Sequence, residues 1–256
     1  MPILEKADKL LQILKNPKVL FYNGSYLFII SHMRSRSTLL SHILGSNDEI
    51  FGYREFHQSY QTLADLRRLR LKILFDLKDF GGKYLVDKIL DNKCQIDDAI
   101  LQMDNVRFIF LLREPEATIK SILDMGNITG IEWYKDINKV ESYYIRRLGI
   151  MMEYSEKISS NSFYIDSDDI VNKPDRVLSE LTSWLGLENK LEKTYKSFAS
   201  TGKSDGAGDP SKNILAGRII KTEKKNIDLP IDVIKRTRDI YLKSRDSFLK
   251  NINHIE

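Results

Sequence analysis

The sequence holds a single cysteine, Cys94, among 256 residues. A lone thiol closes no internal disulfide and completes no metal-spacing pattern, so a small half-buried residue is the expected reading. Histidine is scarce too. His32, His42, His57 and His254 stand at no zinc-ligand spacing such as His-x-x-x-His, and no metal is expected. Long apolar runs are missing: Tyr26 to Ile30 and Phe108 to Leu112 are among the longest, far short of the roughly 18 to 20 residues that span a bilayer. The start, Met-Pro-Ile-Leu-Glu-Lys-Ala-Asp-Lys, has no basic opening, apolar centre and small-residue cleavage site, so it does not read as a secretory signal. No integral membrane segment is expected, and a cytoplasmic location is. A net charge of +4 is too small to argue for nucleic acid as a partner.

What is there fits one domain over 1–256, long enough to bury a substantial core. Short apolar runs alternate with helical spacing. Residues 3–16 read as a covering helix, Tyr26 to Ile30 as a strand, and Ser37 to Gly45 as a short helix. Residues 51–60 read as irregular, and 61–80 and 95–103 as helical, with a strand from Lys83 to Val86 between them. Arg107 to Leu112 feeds a helix from Pro115 to Met125, whose proline suits the first turn. A loop at 126–136, a long helix from Val140 to Ile158, a strand from Ser162 to Ile165 and helices at 175–185 and 232–249 complete the reading. Such alternation predicts an α/β fold with a central parallel sheet flanked by helices in three layers, and ligands at the strands' carboxyl ends.

Two segments share one grammar. Tyr26-Leu-Phe-Ile-Ile-Ser-His-Met-Arg34-Ser35-Arg36-Ser37-Thr38-Leu39-Leu40 and Val106-Arg-Phe-Ile-Phe-Leu-Leu-Arg113-Glu-Pro-Glu-Ala-Thr-Ile-Lys-Ser121 each run from a buried strand through a tight polar turn to a helix start. Each delivers an arginine and hydroxyl residues to a place where helix N–H groups and partial positive charge gather. Two anion sites suggest a ligand phosphorylated at both ends.

The first segment resembles the 5'-phosphosulfate loop of sulfotransferases that use 3'-phosphoadenylyl sulfate. Phe110-Leu-Leu-Arg113-Glu-Pro, with Ser121 eight residues after the arginine, resembles that family's 3'-phosphate motif. The resemblance continues in family order through Gly81-Gly82-Lys83-Tyr84, Tyr164 to Pro174, Trp184-Leu-Gly-Leu, Gly208-Asp-Pro-Ser-Lys212 and Gly217-Arg218. It implies a P-loop-like domain with Arg34, Ser35, Arg36, Ser37, Thr38, Leu39, Arg113, Ser121, Lys212, Gly217 and Arg218 around the donor. The product would be adenosine 3',5'-bisphosphate (PAP). Helical segments at about 60–80 and 126–145 would hold the acceptor, and a loop at about 201–218 reads either as a linker or as a cover over the nucleotide.

Sulfuryl transfer needs alignment and a fixed cation beside the leaving phosphate, which gives Arg34 its implied role. The acceptor hydroxyl needs a general base. Glu55-Phe56-His57-Gln58 lies eighteen residues beyond Ser37, at the distance where trehalose-type carbohydrate sulfotransferases carry a catalytic glutamate. Glu55 is the first candidate and His57, with an ordinary pKa near neutrality, the second. Lys88 reads either as a ligand to sulfate or acceptor or as half of a structural ion pair. Phe51, Tyr53, Phe56, Tyr60, Trp133 and Tyr134 read as an acceptor pocket or as core.

Three departures stand out. Arg36 replaces the family's usual loop glycine, where left-handed backbone angles are costly for arginine. Leu39 and Ser167 replace aromatic residues that contact adenine in cytosolic eukaryotic members. These motivate a second reading, a PAP-binding module without transfer activity. A P-loop kinase is a third, disfavoured because Gly-x-x-x-x-Gly-Lys-Ser/Thr is absent. The acceptor is read only as a small molecule, carbohydrate or lipid, and no oligomeric state follows from the sequence.

Overall fold

The computed structural model describes residues 3–158, 161–203, 212–221 and 226–254. Among these, six parallel strands form one sheet in the order β2-β3-β1-β4-β5-β6: β1 Ser25–Ser31, β2 Ile50–Phe51, β3 Tyr84–Ile89, β4 Val106–Leu112, β5 Ser162–Asp166 and β6 Asn253–His254. The helices are α1 Ile3–Lys15, α2 Ser37–Gly45, α3 Leu63–Leu77, α4 Asp98–Leu101, α5 Pro115–Thr129, α6 Glu132–Lys135, α7 Ile137–Lys157, α8 Asp169–Asn172, α9 Pro174–Leu185 and α10 Ile231–Asn251. This is the three-layer α/β architecture expected from the alternation.

Side chains leave a strand on alternate faces, and the apolar runs therefore build two cores. Tyr26, Phe28 and Ile30 of β1 join Phe108 and Phe110 of β4 under α3, α7 and α10 through Leu69, Leu148 and Phe248. Leu27, Ile29, Ile109 and Leu111 face the other way, against Leu40, Ile43 and Leu44 of α2 and Val177 and Leu181 of α9. Strands buried on both faces explain why these segments read as continuous apolar runs.

The connection from β1 leads toward β2 and β3, whereas that from β4 leads toward β5. Neighbouring strands whose connections diverge leave a crevice at their carboxyl ends. Both arginine turns open onto it.

Three sequence expectations need correction. The loop expected at 126–136 is largely helical, since α5 runs to Thr129 and α6 follows at Glu132–Lys135. Gly126 marks close packing here, not a break: a Cβ on it would lie 2.9 Å from that of Tyr134. Gly130, at φ +72°, ends α5. The strand expected at Lys83 to Val86 extends to Ile89 because Asp87 and Lys88 are buried within it with hydrogen-bond partners. The helix expected at 95–103 is confined to Asp98–Leu101. Among the described residues no helix is long and apolar enough to cross a membrane.

Candidate active site

The turn after β1 is held from several sides. The Ser31 hydroxyl lies 2.6 Å from both the Ser35 hydroxyl and the Leu111 carbonyl oxygen. Buried His32 donates from Nδ1 to the Met33 carbonyl (2.9 Å) and accepts the Arg113 backbone N–H at Nε2 (3.1 Å). Those two bonds select one neutral tautomer, and burial pushes the imidazole down to about 3. Arg34 and Arg36 both adopt left-handed angles, at φ 61° and 66°. Arg36 has the conformation for which glycine is the usual choice. Its guanidinium pairs with Asp168, ahead of α8, and α2 begins directly behind it with no side-chain cap.

The turn after β4 is ordinary by comparison. Pro115 opens α5 and the Glu114 carboxylate caps it by accepting the Ala117 N–H at 2.9 Å. The two turns are joined. Arg113 Nη1 donates to the Arg34 carbonyl (2.9 Å), and Arg34 Nε donates to the Ser121 hydroxyl (3.0 Å). Burial, then the Arg36 and Arg34 charges, push the Arg113 guanidinium down to about 10, while Asp168 opposes this. Arg113 Nε is buried without a partner among the described residues. An orphaned buried donor is costly, and beside two further arginines it suits an anion. Lys88, 3% exposed, donates to the Thr38 hydroxyl at 3.1 Å, so the ammonium reaches the loop from β3. Ser35 and Ser37 are buried, while Leu39 packs on the α2 core.

Glu55 and His57 lie beside each other, with His57 Nδ1 3.3 Å from Glu55 Oε1. Their segment continues close alongside β3: Gly52, at φ +110°, packs where a Cβ would sit 2.3 Å from the Val86 carbonyl. Glu55 is 9% exposed and His57 is on the surface, at φ 47°. They line an open groove of about 400 Å³ with Lys9, Arg54, Lys72 and Phe75. Tyr134, raised chiefly by burial, feels the Glu55 charge and the opposing Arg34 charge. A second groove, of about 550 Å³, is lined by Asn92, Trp133, Lys139, Ser142 and Tyr143. The Tyr143 hydroxyl accepts the Met33 N–H and donates to the Leu90 carbonyl, both at 2.8 Å, tying this groove to the arginine turn. Tyr53 and Tyr60 are core.

The chain from Tyr195 to Thr201 docks on α2 through His42. Tyr195 N–H donates to the Gly217 carbonyl at 2.8 Å, the Tyr53 and Phe198 rings stack at 4.1 Å, and His42 links the Thr38 carbonyl to the Thr201 hydroxyl, each at 2.9 Å. Gly217 has φ +64°; Arg218 is exposed. The Gly208-Asp-Pro-Ser stretch lies outside the described residues, as does the side chain of Lys212, whose backbone opens a short 3-10 turn ending at Ala216. Ser167 is fully buried and its hydroxyl has no partner among the described residues.

Sequence reasoning missed His32, Asp87, Tyr143 and Arg147. The signal for His32 was its place between strand and turn; for Asp87 it was a charge inside an apolar strand, beside Lys88, which was already a candidate.

No protein-family model and no curated protein matches the sequence. Solved structures do. A sulfotransferase domain from the curacin biosynthetic pathway superposes with a TM-score of 0.61 at 19% identity, over 86% of this chain and 97% of that one. A sulfotransferase domain from the Synechococcus PCC 7002 olefin synthase gives 0.59 at 20% identity, over 86% and 94%. With its parallel sheet, its flanking helices and these superpositions, the chain has the sulfotransferase fold.

Proposed function

We propose that the protein is a sulfotransferase that moves a sulfuryl group from 3'-phosphoadenylyl sulfate to a hydroxyl of a small-molecule, carbohydrate or lipid acceptor. The observation that carries this reading is the hydrogen-bonded link from Ser121 through Arg34 to Arg113. It brings both sequence motifs to one crevice, as a donor phosphorylated at two positions requires. The origin of one similar domain in a biosynthetic pathway favours a small-molecule acceptor.

The chemistry follows from the charges. As the acceptor oxygen bonds to sulfur, the bond from sulfur to the 5'-phosphate oxygen breaks, and negative charge grows on the departing phosphate. Arg34 neutralises that charge, with Lys88 beside Thr38 as a second cation. Ser35, Ser37 and the first turn of α2 hold the 5' end. Arg113 and Ser121 hold the 3'-phosphate, and its arrival gives Arg113 Nε a partner. Arg218, bridged to Thr194 beside the stretch that docks on α2, covers the nucleotide. Glu55 takes the acceptor proton, with His57 at its side.

The test is incubation with sulfur-labelled donor and an extract of hydroxylated small molecules. Wild type labels an acceptor; Arg34→Ala and Glu55→Gln each lower the rate by about 100-fold or more, the usual scale for losing charge stabilisation or a general base. Labelling unchanged in both variants overturns the mechanism. Loss of activity in His57→Gln but not in Glu55→Gln moves the base to His57. PAP binding with no acceptor ever labelled selects the inactive module, and preference for ATP with magnesium selects a kinase.

A further inference from the structure

Near its end β3 carries two adjacent charged residues, Asp87 and Lys88, which are 0% and 3% exposed. A carboxylate taken out of water is costly unless its lone pairs are filled. Two of the three bonds that fill those of Asp87 come from the segment that carries Glu55, and the third from its own strand. Oδ1 accepts the Phe56 N–H at 3.0 Å and the Lys88 N–H at 2.7 Å, and Oδ2 accepts the Tyr60 hydroxyl at 2.5 Å. Lys88 carries the connection onward to Thr38. One carboxylate thus straps the turn holding Glu55 and His57 to the strand whose next residue touches the start of α2.

We propose that Asp87 is a positioning residue for transfer: its carboxylate holds the Glu55–His57 turn against the Thr38 end of α2, and its protonation loosens that turn. The inference rests on the reading of Glu55 as the base. The groups around Asp87 are Tyr60 and Glu55 from the connecting segment, Lys72 from α3, Cys94 from the chain after β3, and Lys88 on its own strand. Burial raises the Asp87 carboxyl to about 7; the Tyr60 and Phe56 hydrogen bonds oppose the rise, Glu55 adds to it, and the Lys88 amide opposes it. Above that pH the strap carries a full negative charge and grips the Phe56 amide. Below it the bond is to a neutral acid and is weaker.

The experiment follows the Phe56 amide resonance by NMR between pH 5 and 9, in a His57→Gln background that removes the adjacent titrating ring. One transition with a midpoint near 7 is expected. Asp87→Asn abolishes it, and Tyr60→Phe, which keeps the carboxylate but deletes a bond that opposes the rise, moves the midpoint upward. Tyr60→Phe carries the test if Asp87→Asn does not fold. In labelled transfer, Asp87→Asn lowers turnover about 10-fold or more while PAP still raises its melting temperature as in wild type. A flat Phe56 resonance, a transition retained in Asp87→Asn, or a Tyr60→Phe midpoint that stays put overturns the proposal. If instead the reading of Glu55 is at fault, Glu55→Gln transfers normally while the Phe56 transition and its dependence on Asp87 persist.

Discussion

The two arginine turns differ in how they hold their shape. The turn after β4 is self-sufficient: Pro115 presets the first helical angle and Glu114 caps its own helix. The turn after β1 contains no glycine, places Arg34 and Arg36 at positive φ, and has no side-chain cap. It is held from outside, by Asp168 on Arg36, Arg113 on the Arg34 carbonyl and Tyr143 on Met33. Strained backbone persists where its surroundings over-determine it, and such positions cluster at functional sites. The strained turn is the one proposed to hold the transferring group, and the relaxed one the one proposed to hold the phosphate that only anchors the donor.

Arg113 is where the two turns meet, so its loss should have the largest effect. Arg113→Ala is expected to erase the difference in melting temperature between protein bound to PAP and to AMP, because the 3'-phosphate loses its cation while the Arg34 carbonyl loses its donor. A persistent difference would mean that the turns serve separate ligands.

His32 tests the same junction through pH. Its folded pKa, about 3, is depressed below the ordinary value near 6.5. The unfolded chain therefore takes up a proton at His32 that the folded one refuses. Its contribution is complete above about pH 6.5 and is lost as pH falls toward 3, at up to about 1.4 kcal/mol per pH unit. Urea midpoints measured across that window should fall more steeply for wild type than for His32→Gln.

The smallest effects sharpen the contrast directly. Glu114→Ala should cost about 1 kcal/mol, the usual value of a lost cap. Arg36→Gly removes a left-handed angle worth about 1–2 kcal/mol and a half-exposed ion pair worth about 0–1 kcal/mol, so stability should change little or rise slightly. If both variants lost stability equally, the turns would not differ in the way described.

The crevice was legible because its parts are local. Apolar runs, Pro115 and the hydroxyls after Arg34 declare strand, turn and helix start within a few residues, and the cost of arginine at position 36 followed from chirality alone. The partners were not legible, since Asp168 and Tyr143 meet the turn, and the Arg113 amide meets His32, only after distant elements pack. Asp87 and Lys88 shortened the expected strand because charge argues against burial until Tyr60, Phe56 and Thr38 are seen around it. The helical continuation through 126–135 was hidden for the related reason that Gly126 serves a neighbour, Tyr134, that lies beyond any local pattern. The two grooves beside Glu55 and Tyr143 draw on the segments expected at 60–80 and 126–145, but their outlines were not legible because α1, residues 54–57 and Asn92 join them only on folding.

Arg147 is fully buried on α7, where its guanidinium donates to the carbonyl oxygens of Ser31 (2.7 Å), Ile89 and Asp91 (3.5 Å). These carbonyls end β1 and follow or end β3, so one cation rivets together the strand that launches the arginine turn and the strand that supports Glu55. Prising them apart would strand a charge in a dry interior. On the proposed reading, the spacing between the donor-holding turn and Glu55 is therefore a rigid dimension of the scaffold, and adjustment to acceptors of different size falls to the walls of the grooves, not to their floor.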